Sequence, residues 1–189
     1  MCLMTSAPSV VPDDPVLEAA RTAFLRDGWI DMRALATQAG VGRATLYRRA
    51  GSRDQVLAEV LWQLAAESLE RSRRTASGRG VDRVVATLHG VMHEIVTAPA
   101  LQAFLDRDPE SALRVLTSRA GGVQDRIVTA VRELVTDELR PPRGIDPEAL
   151  AYAVVRVAES FCYADVLTGQ RPDIDTAALI IRRLLSDGA

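Results

Sequence analysis

The chain has 189 residues, 48% of them apolar and 25% charged, with a formal net charge of −2. That profile belongs to a folded globular protein and excludes both a disordered chain and a polycation that coats nucleic acid indiscriminately, so any contact with phosphates must come from a local patch. Two cysteines are too few for a disulfide framework, and no basic-then-apolar leader or run of about 18 apolar residues occurs, which predicts a cytoplasmic protein with no membrane span.

Periodicity is helical nearly throughout, and the period-two alternation of a half-buried strand is not seen, so the predicted fold class is all-α with about nine helices. After a tail over 1–12 that contains Cys2 and is expected to be disordered, Asp13 or Asp14 caps a first helix over about 14–27. Pro15 starts it, Val16, Leu17, Ala20, Phe24 and Leu25 form its apolar face, and Gly28 stops it. Asp31 caps a short second helix in which Met32, Leu35, Ala36 and Ala39 share a face, with Gly40 where a left-handed C-cap is wanted. A third short helix follows over about 42–49, and Ser52 caps a long amphipathic helix that runs to the polar "RSRRTASGRG". The pattern resumes in "VDRVVATLHGVMHEIV", passes through two short pieces over about 101–105 and 109–116, and continues in helices over about 122–139, 147–168 and 175–185. The expected organisation is a helix-turn-helix domain over 13–58 and a ligand-binding and dimerisation domain over 59–189.

Two short helices joined through Gly40-Val41-Gly42 have the length and turn chemistry of a helix-turn-helix, whose second helix enters the major groove. Between Asp31 and Asp54 the chain holds Arg33, Arg43, Arg48, Arg49 and Arg53 with no carboxylate among them. Guanidinium groups suit phosphates and the O6/N7 edge of guanine. The start of the fourth helix, with Ser52 as cap and Arg53 in its first turn, offers amides and a positive dipole end to a phosphate. A nearly neutral chain therefore concentrates positive charge where one strip of duplex would lie.

The stretch "LATQAGVGRATLYRRAGSRDQVLAEVL" resembles the DNA-binding domain of the TetR family of bacterial regulators, on Leu35-Ala36, Ala39-Gly40-Val41, Thr45-Leu46-Tyr47, Gly51-Ser52-Arg53 and Leu57. The resemblance implies that Arg43 and Thr45 face base edges or nearby backbone, that Tyr47 hydrogen-bonds a phosphate, and that Arg53 holds another. It places Thr37 where the second helix meets the backbone and makes Leu46 a core wedge; Arg33, Ala44, Arg48, Arg49 and Ser52 complete the implied DNA-facing set. Two positions depart from the family pattern. Gly42 replaces the usual Ser, so the recognition helix loses a side-chain cap, and Ala50 replaces an aromatic, so Phe24 or Trp29 must complete the packing.

The same resemblance implies a small-molecule effector, and a homodimer formed by the last two long helices that reads a roughly palindromic double-stranded operator. Ala149, Ala151, Ala153, Ala158 and Ala164 would let another helix approach the penultimate one closely. Tyr152, Arg156, Glu159 and Tyr163 recur at i, i+4, i+7, i+11 as a polar stripe. Arg156 and Glu159 must pair with each other or face a wet cavity, at the dimer seam or towards a ligand. His89 and His93 have the spacing of a metal pair but no third ligand, so no metal or cofactor is expected, and they line the pocket or lie on an ordinary helix face. Trp62, Met92 and Phe104 are core or pocket residues. "SALRVLTS" and "LAYAVVRVAESFCYADVLTGQRPDID" are similar to the QsdR-type subgroup, which implies a lactone-bearing or acyl-chain effector. No nucleophile elbow, phosphate loop or paired catalytic carboxylates appear, so an enzyme is not expected. A helical adaptor that binds protein through the same fold is the alternative to a regulator that binds DNA.

Overall fold

The computed structural model describes residues 14–118, 122–140 and 144–186, and within them every regular element is an α-helix. The tail 1–12, Cys2, Asp13 and part of the "RPPRGID" connector lie outside the described residues. Asp14 begins α1 (Pro15–Asp27) by accepting from Val16 N at 2.9 Å, and Gly28 ends it at φ +62°. Asp31 begins α2 (Met32–Gln38) by accepting from the amides of Arg33 at 2.7 Å and Ala34 at 3.1 Å. These backbone donors hold its carboxyl below the usual aspartate range.

The turn that follows satisfies the orphan carbonyls of α2 in a Schellman arrangement. Gly40, at φ +65°, donates to Thr37 O at 3.2 Å, and Val41 donates to Ala36 O at 3.0 Å while packing its side chain against the core. Then α3 (Arg43–Ala50) starts at Gly42 with no side-chain cap, as the missing Ser predicts. Ser52 and Gln55 form a reciprocal capping box at the head of α4 (Arg53–Thr75), whose 23 residues carry the chain from the first three helices into the rest.

Beyond it come α5 (Val81–Thr97), α6 (Pro99–Arg107), α7 (Pro109–Thr117), α8 (Val123–Glu138), α9 (Pro147–Cys162), α10 (Ala164–Thr168) and α11 (Ile174–Leu185). The described residues therefore hold eleven helices rather than about nine. Both short pieces are complete helices begun by Pro99 and Pro109, where the missing proline N–H costs nothing. The expected helix over 147–168 breaks at Tyr163, at φ −106° and ψ 23°, and restarts at once as α10. Side-chain periodicity does not register so local a kink because hydrogen bonding resumes immediately, with Leu167 N on Tyr163 O at 2.9 Å.

Helix α4 packs along α5, α8 along α9, and α11 lies across α5 and α9. One buried apolar cluster runs from Val16 in α1 to Leu185 in α11. At the junction, Gly28 lies so close to α6 that a Cβ there would come within 2.5 Å of Ala100 O. No single helix among the described residues is long and apolar enough to cross a membrane.

Candidate nucleic-acid interface and ligand cavity

Leu46 is fully buried under α3, and this fixes which side of the helix meets solvent. Arg43, Ala44, Tyr47, Arg48 and Arg49 are exposed, Thr45 is half-buried beside them, and Arg33 and Thr37 are exposed on α2. Thr37 Oγ1 donates to Arg33 O at 3.2 Å, a local bond that a phosphate can replace. Arg49 reaches Asp14 at 3.5 Å. The hydroxyl of Ser52 accepts from Gln55 N at 3.3 Å, so its first role is to cap α4.

Arg53, expected to hold a phosphate, is bound to groups of the chain itself in this DNA-free structure. Its guanidinium carbon lies 3.4 Å from the centroid of the Trp29 ring, and the Arg107 guanidinium approaches the same ring at 4.3 Å. Nε donates to Ile30 O at 3.2 Å, and Nη1 lies 3.8 Å from an Asp108 oxygen. Nη2 is buried with no partner among the described residues. Burial draws the pKa of this arginine down. Arg53 thus ties the start of α4 to Trp29 and to the α6–α7 corner. Trp29 stacks edge-on against Phe104, as Phe24 does at 6.0 Å, so these aromatics pack the corner between α1 and α6.

A cavity of about 310 Å³ lies between α4, α5, α8 and α9, with Leu101 of α6 and Leu116 of α7 at its edge. Of the expected pocket residues, Trp62, Met92, Glu159 and Tyr163 line it. The others do not. Phe104 is fully buried in the aromatic corner, Tyr152 is 52% exposed, and His93 is exposed. His89 Nε2 sits 2.8 Å from Asp175 on α11. The i, i+4 histidine spacing places both on α5, but that helix turns other residues, Leu88 and Met92 among them, towards the cavity.

Arg156 stands behind the cavity wall with Nη1 2.6 Å from Glu159 Oε2, so the two residues pair and the carboxylate partner is the one that faces the cavity. With its side-chain amide turned to satisfy both ends, Gln124 donates to Thr117 O at 2.8 Å and accepts from Arg156 Nη1 at 3.0 Å. Burial pushes Glu159 up to about 7 against the opposing pull of Arg156. Burial and the Glu159 charge push the Cys162 thiol up to about 12, and burial raises Tyr163 as well.

Motif reading missed three polar wall residues, Ser68, Arg71 and Glu94. Arg71 and Glu94 pair at 2.5 Å, and Arg71 foremost, with the 6% exposed Ser68 beside it, holds the Glu94 carboxyl below its usual range. For Ser68 the available signal was a serine interrupting the apolar stripe Leu57, Leu61, Ala65, Ser68 at helical spacing.

Two family models match the chain: bacterial regulatory proteins of the tetR family over residues 16–60, and a tetracyclin repressor-like C-terminal domain over 79–186. An HTH-type transcriptional regulator of Mycobacterium tuberculosis is 26% identical over 157 residues, spanning 77% of this chain and 67% of that protein. The R. erythropolis transcriptional repressor QsdR, of the TetR family, superposes with a TM-score of 0.84 at 26% identity over 92% of this chain and 94% of its own. The TetR family repressor AlkX from Dietzia sp. shares the fold, with a TM-score of 0.62 at 20% identity over 91% and 96% of the two chains.

Proposed function

The chain belongs to the tetR family of bacterial regulatory proteins and is a DNA-binding transcriptional regulator rather than an enzyme, and on that footing we propose that it is a repressor released from its operator by a small molecule. The single observation that carries the DNA-reading half is the exposed face of α3. There Arg43, Tyr47 and Arg48 stand in solvent, in a stretch that holds no carboxylate between Asp31 and Asp54. Arg43 and Thr45 read base edges or adjacent backbone, Tyr47 and Arg48 bind phosphates, and Arg33, Thr37, Ala44, Arg49 and Ser52 flank them. Residues 13–58 form the DNA-reading unit, and 59–189 bind effector and partner subunit.

A homodimer formed through α9 and α11 places two copies of α3 on a palindromic operator. Leu179 and Ile180 on α11 and Tyr152 on α9 are exposed large side chains that favour this face. Ala151 and Ala164, expected to ease a partner helix in, are instead buried within the chain. The effector occupies the cavity and shifts the subunits to a spacing that no longer fits duplex DNA, a negative coupling typically worth about 1–3 kcal/mol. A lactone-bearing or acyl-chain effector is what the sequence resemblance to the QsdR-type subgroup implies, and the largely apolar wall of the cavity suits such a molecule.

The test is fluorescence anisotropy against DNA from upstream of the protein's own gene, with scrambled DNA as control and a salt series. Specific binding that weakens steeply with salt, and is lost in folded Tyr47→Ala and Arg48→Ala, is expected. Equal binding of these variants would remove α3 as the reading surface.

A further inference from the structure

We propose that a clasp between the start of α4 and the α6–α7 corner sets the half-site spacing that the dimer accepts, with Arg107, Asp108 and Arg114 as positioning residues outside the DNA-reading unit. This rests on the homodimer and palindromic operator put forward above and adds what fixes the distance between the two copies of α3. A dimer selects a spacing only as sharply as each DNA-reading unit is held to the rest of its own chain. Where two units of a chain meet through a small, polar contact, relative motion is the default, so the few groups that oppose it decide the outcome.

The chain passes from the first three helices into the remainder through one continuous helix, α4, and a single long helix bends along its length. A second attachment lies beside it, at the α6–α7 corner. Its floor is apolar: Gly28 fits against Ala100 and Phe104, and Phe24 and Trp29 meet the Phe104 ring edge-on. Charged side chains from both sides close over this floor. Arg53, tied within its own unit to Ile30 O and the Trp29 ring, places Nη1 3.8 Å from Asp108. Arg107 lies over the same ring at 4.3 Å, and Arg114 Nη2 donates to Asp54 Oδ2 at 3.0 Å.

The far side of the clasp is itself anchored. Asp108 caps α7 by accepting from Ser111 N at 3.2 Å, and Arg114 also donates to the hydroxyl of Ser111, a buried residue, at 3.1 Å. The DNA-reading unit is therefore referenced to the first turn of a packed helix. Apolar burial is non-directional, so the floor resists separation more than sliding, whereas hydrogen-bonded charged groups hold only over a narrow range of positions and fix the rotation. One inserted base pair shifts a half-site by about 3.4 Å and turns it by about 35°. A unit held by the clasp does not follow that displacement, and a unit free to slide on its apolar floor follows part of it.

The experiment uses the full chain and its own operator, with half-sites located by footprinting, beside a duplex in which two base pairs are inserted between them. Anisotropy gives the ratio of the two affinities, and the ratio cancels the uniform change that an altered net charge brings. The wild type is expected to favour the natural spacing by about thirtyfold or more. The triple variant Arg107→Ala, Asp108→Asn, Arg114→Ala leaves α3 untouched and keeps an oxygen to cap α7. It should cut that ratio at least about fivefold while binding the natural operator within about threefold of wild type. Asp108→Asn alone should cut it about twofold, and decides the matter should the triple variant not fold. A spin label at Gln38→Cys, exposed on α2, in Cys2→Ser protein reads the distance between the two units of a dimer, because Cys162 is buried; the triple variant should broaden that distance. An unchanged ratio in the folded variants, or an unchanged width, overturns the proposal and leaves the repressor reading standing, as does a wild type that binds both spacings equally. Specific DNA binding with no distance between labels removes the dimer and the proposal with it, and absence of specific DNA binding by the wild type refutes the repressor reading as well.

Discussion

Arg48 on α3 and Arg53 on α4 are close in sequence and carry the same side chain, yet one stands in solvent and the other is bound within the chain. Arg48 lies in solvent on a helix whose one buried anchor is Leu46. Arg53 is turned inward over Trp29, towards Asp108 and the α6–α7 corner. Arg156, farther along, is likewise committed to a buried partner. An arginine keeps its charge in nearly any setting, so its environment alone decides whether it meets a phosphate or holds two helices together. On α3 the guanidinium groups of Arg43 and Arg48 stand in solvent, while those of Arg53 and Arg156 are bound to groups of the chain itself.

The sharpest way to break this division is at the contact on which it rests. Gly28→Val would place a side chain against Ala100 O, which is backbone and cannot yield, at a φ of +62°. The expected cost is about 3 kcal/mol, a fall of roughly 6–12 °C in the melting midpoint by calorimetry. An unchanged midpoint would mean that α1 is not fixed against α6.

Glu159 comes next. Its carboxyl is raised from 4.5 to about 7 in the folded chain, so the stability it confers is complete below pH 4.5 and is lost as pH rises through about 7. Glu159→Gln should flatten that slope, removing a difference on the order of 2–3 kcal/mol between pH 4.5 and pH 8 in denaturant titrations. Parallel pH profiles for the two proteins would show that the buried pair is not the source.

Arg48→Glu should weaken operator binding by roughly ten- to a hundredfold while leaving stability within about 0.5 kcal/mol. Arg53→Ala should do the reverse, costing about 1–2 kcal/mol of stability through the lost cation–π and hydrogen-bond contacts. The salt dependence of DNA binding separates the two: Arg48→Ala should lower the slope by about one unit, and Arg53→Ala should not. A lowered slope in Arg53→Ala would return that residue to the phosphates. The smallest effect is expected for Gly42→Ser. Its Cβ has nothing within 4 Å, and the restored cap on α3 should add a few tenths of a kcal/mol, read as a small rise in midpoint.

The first three helices and the start of α4 were legible in the sequence because their signals are local. Asp14, Asp31 and Ser52 each bond amides two or three residues away, and Gly40 and Val41 close α2 on carbonyls three and five residues back. The exposure of Tyr47 and Arg48 follows from the burial of Leu46 and the helical repeat. The polar stripe on α9 likewise exposed the Arg156–Glu159 pair at i, i+3.

What only the tertiary structure decided are the matters settled between elements. Arg53 looks like its exposed neighbours until Ile30, 23 positions earlier, supplies a carbonyl and Trp29 a ring. His89 and His93 share a face, but Asp175 on α11 claims the first and solvent surrounds the second. Ser68 is an ordinary helix residue until α4, α5, α8 and α9 enclose a space beside it. Caps and periodicity arise within a few residues of one another, so the sequence by itself determined most of the helices, though not the break at Tyr163, and the charged face of α3. A cavity is the volume that packed helices leave over, and a guanidinium's partner depends on which surfaces meet, so both were decided by the packing of distant segments.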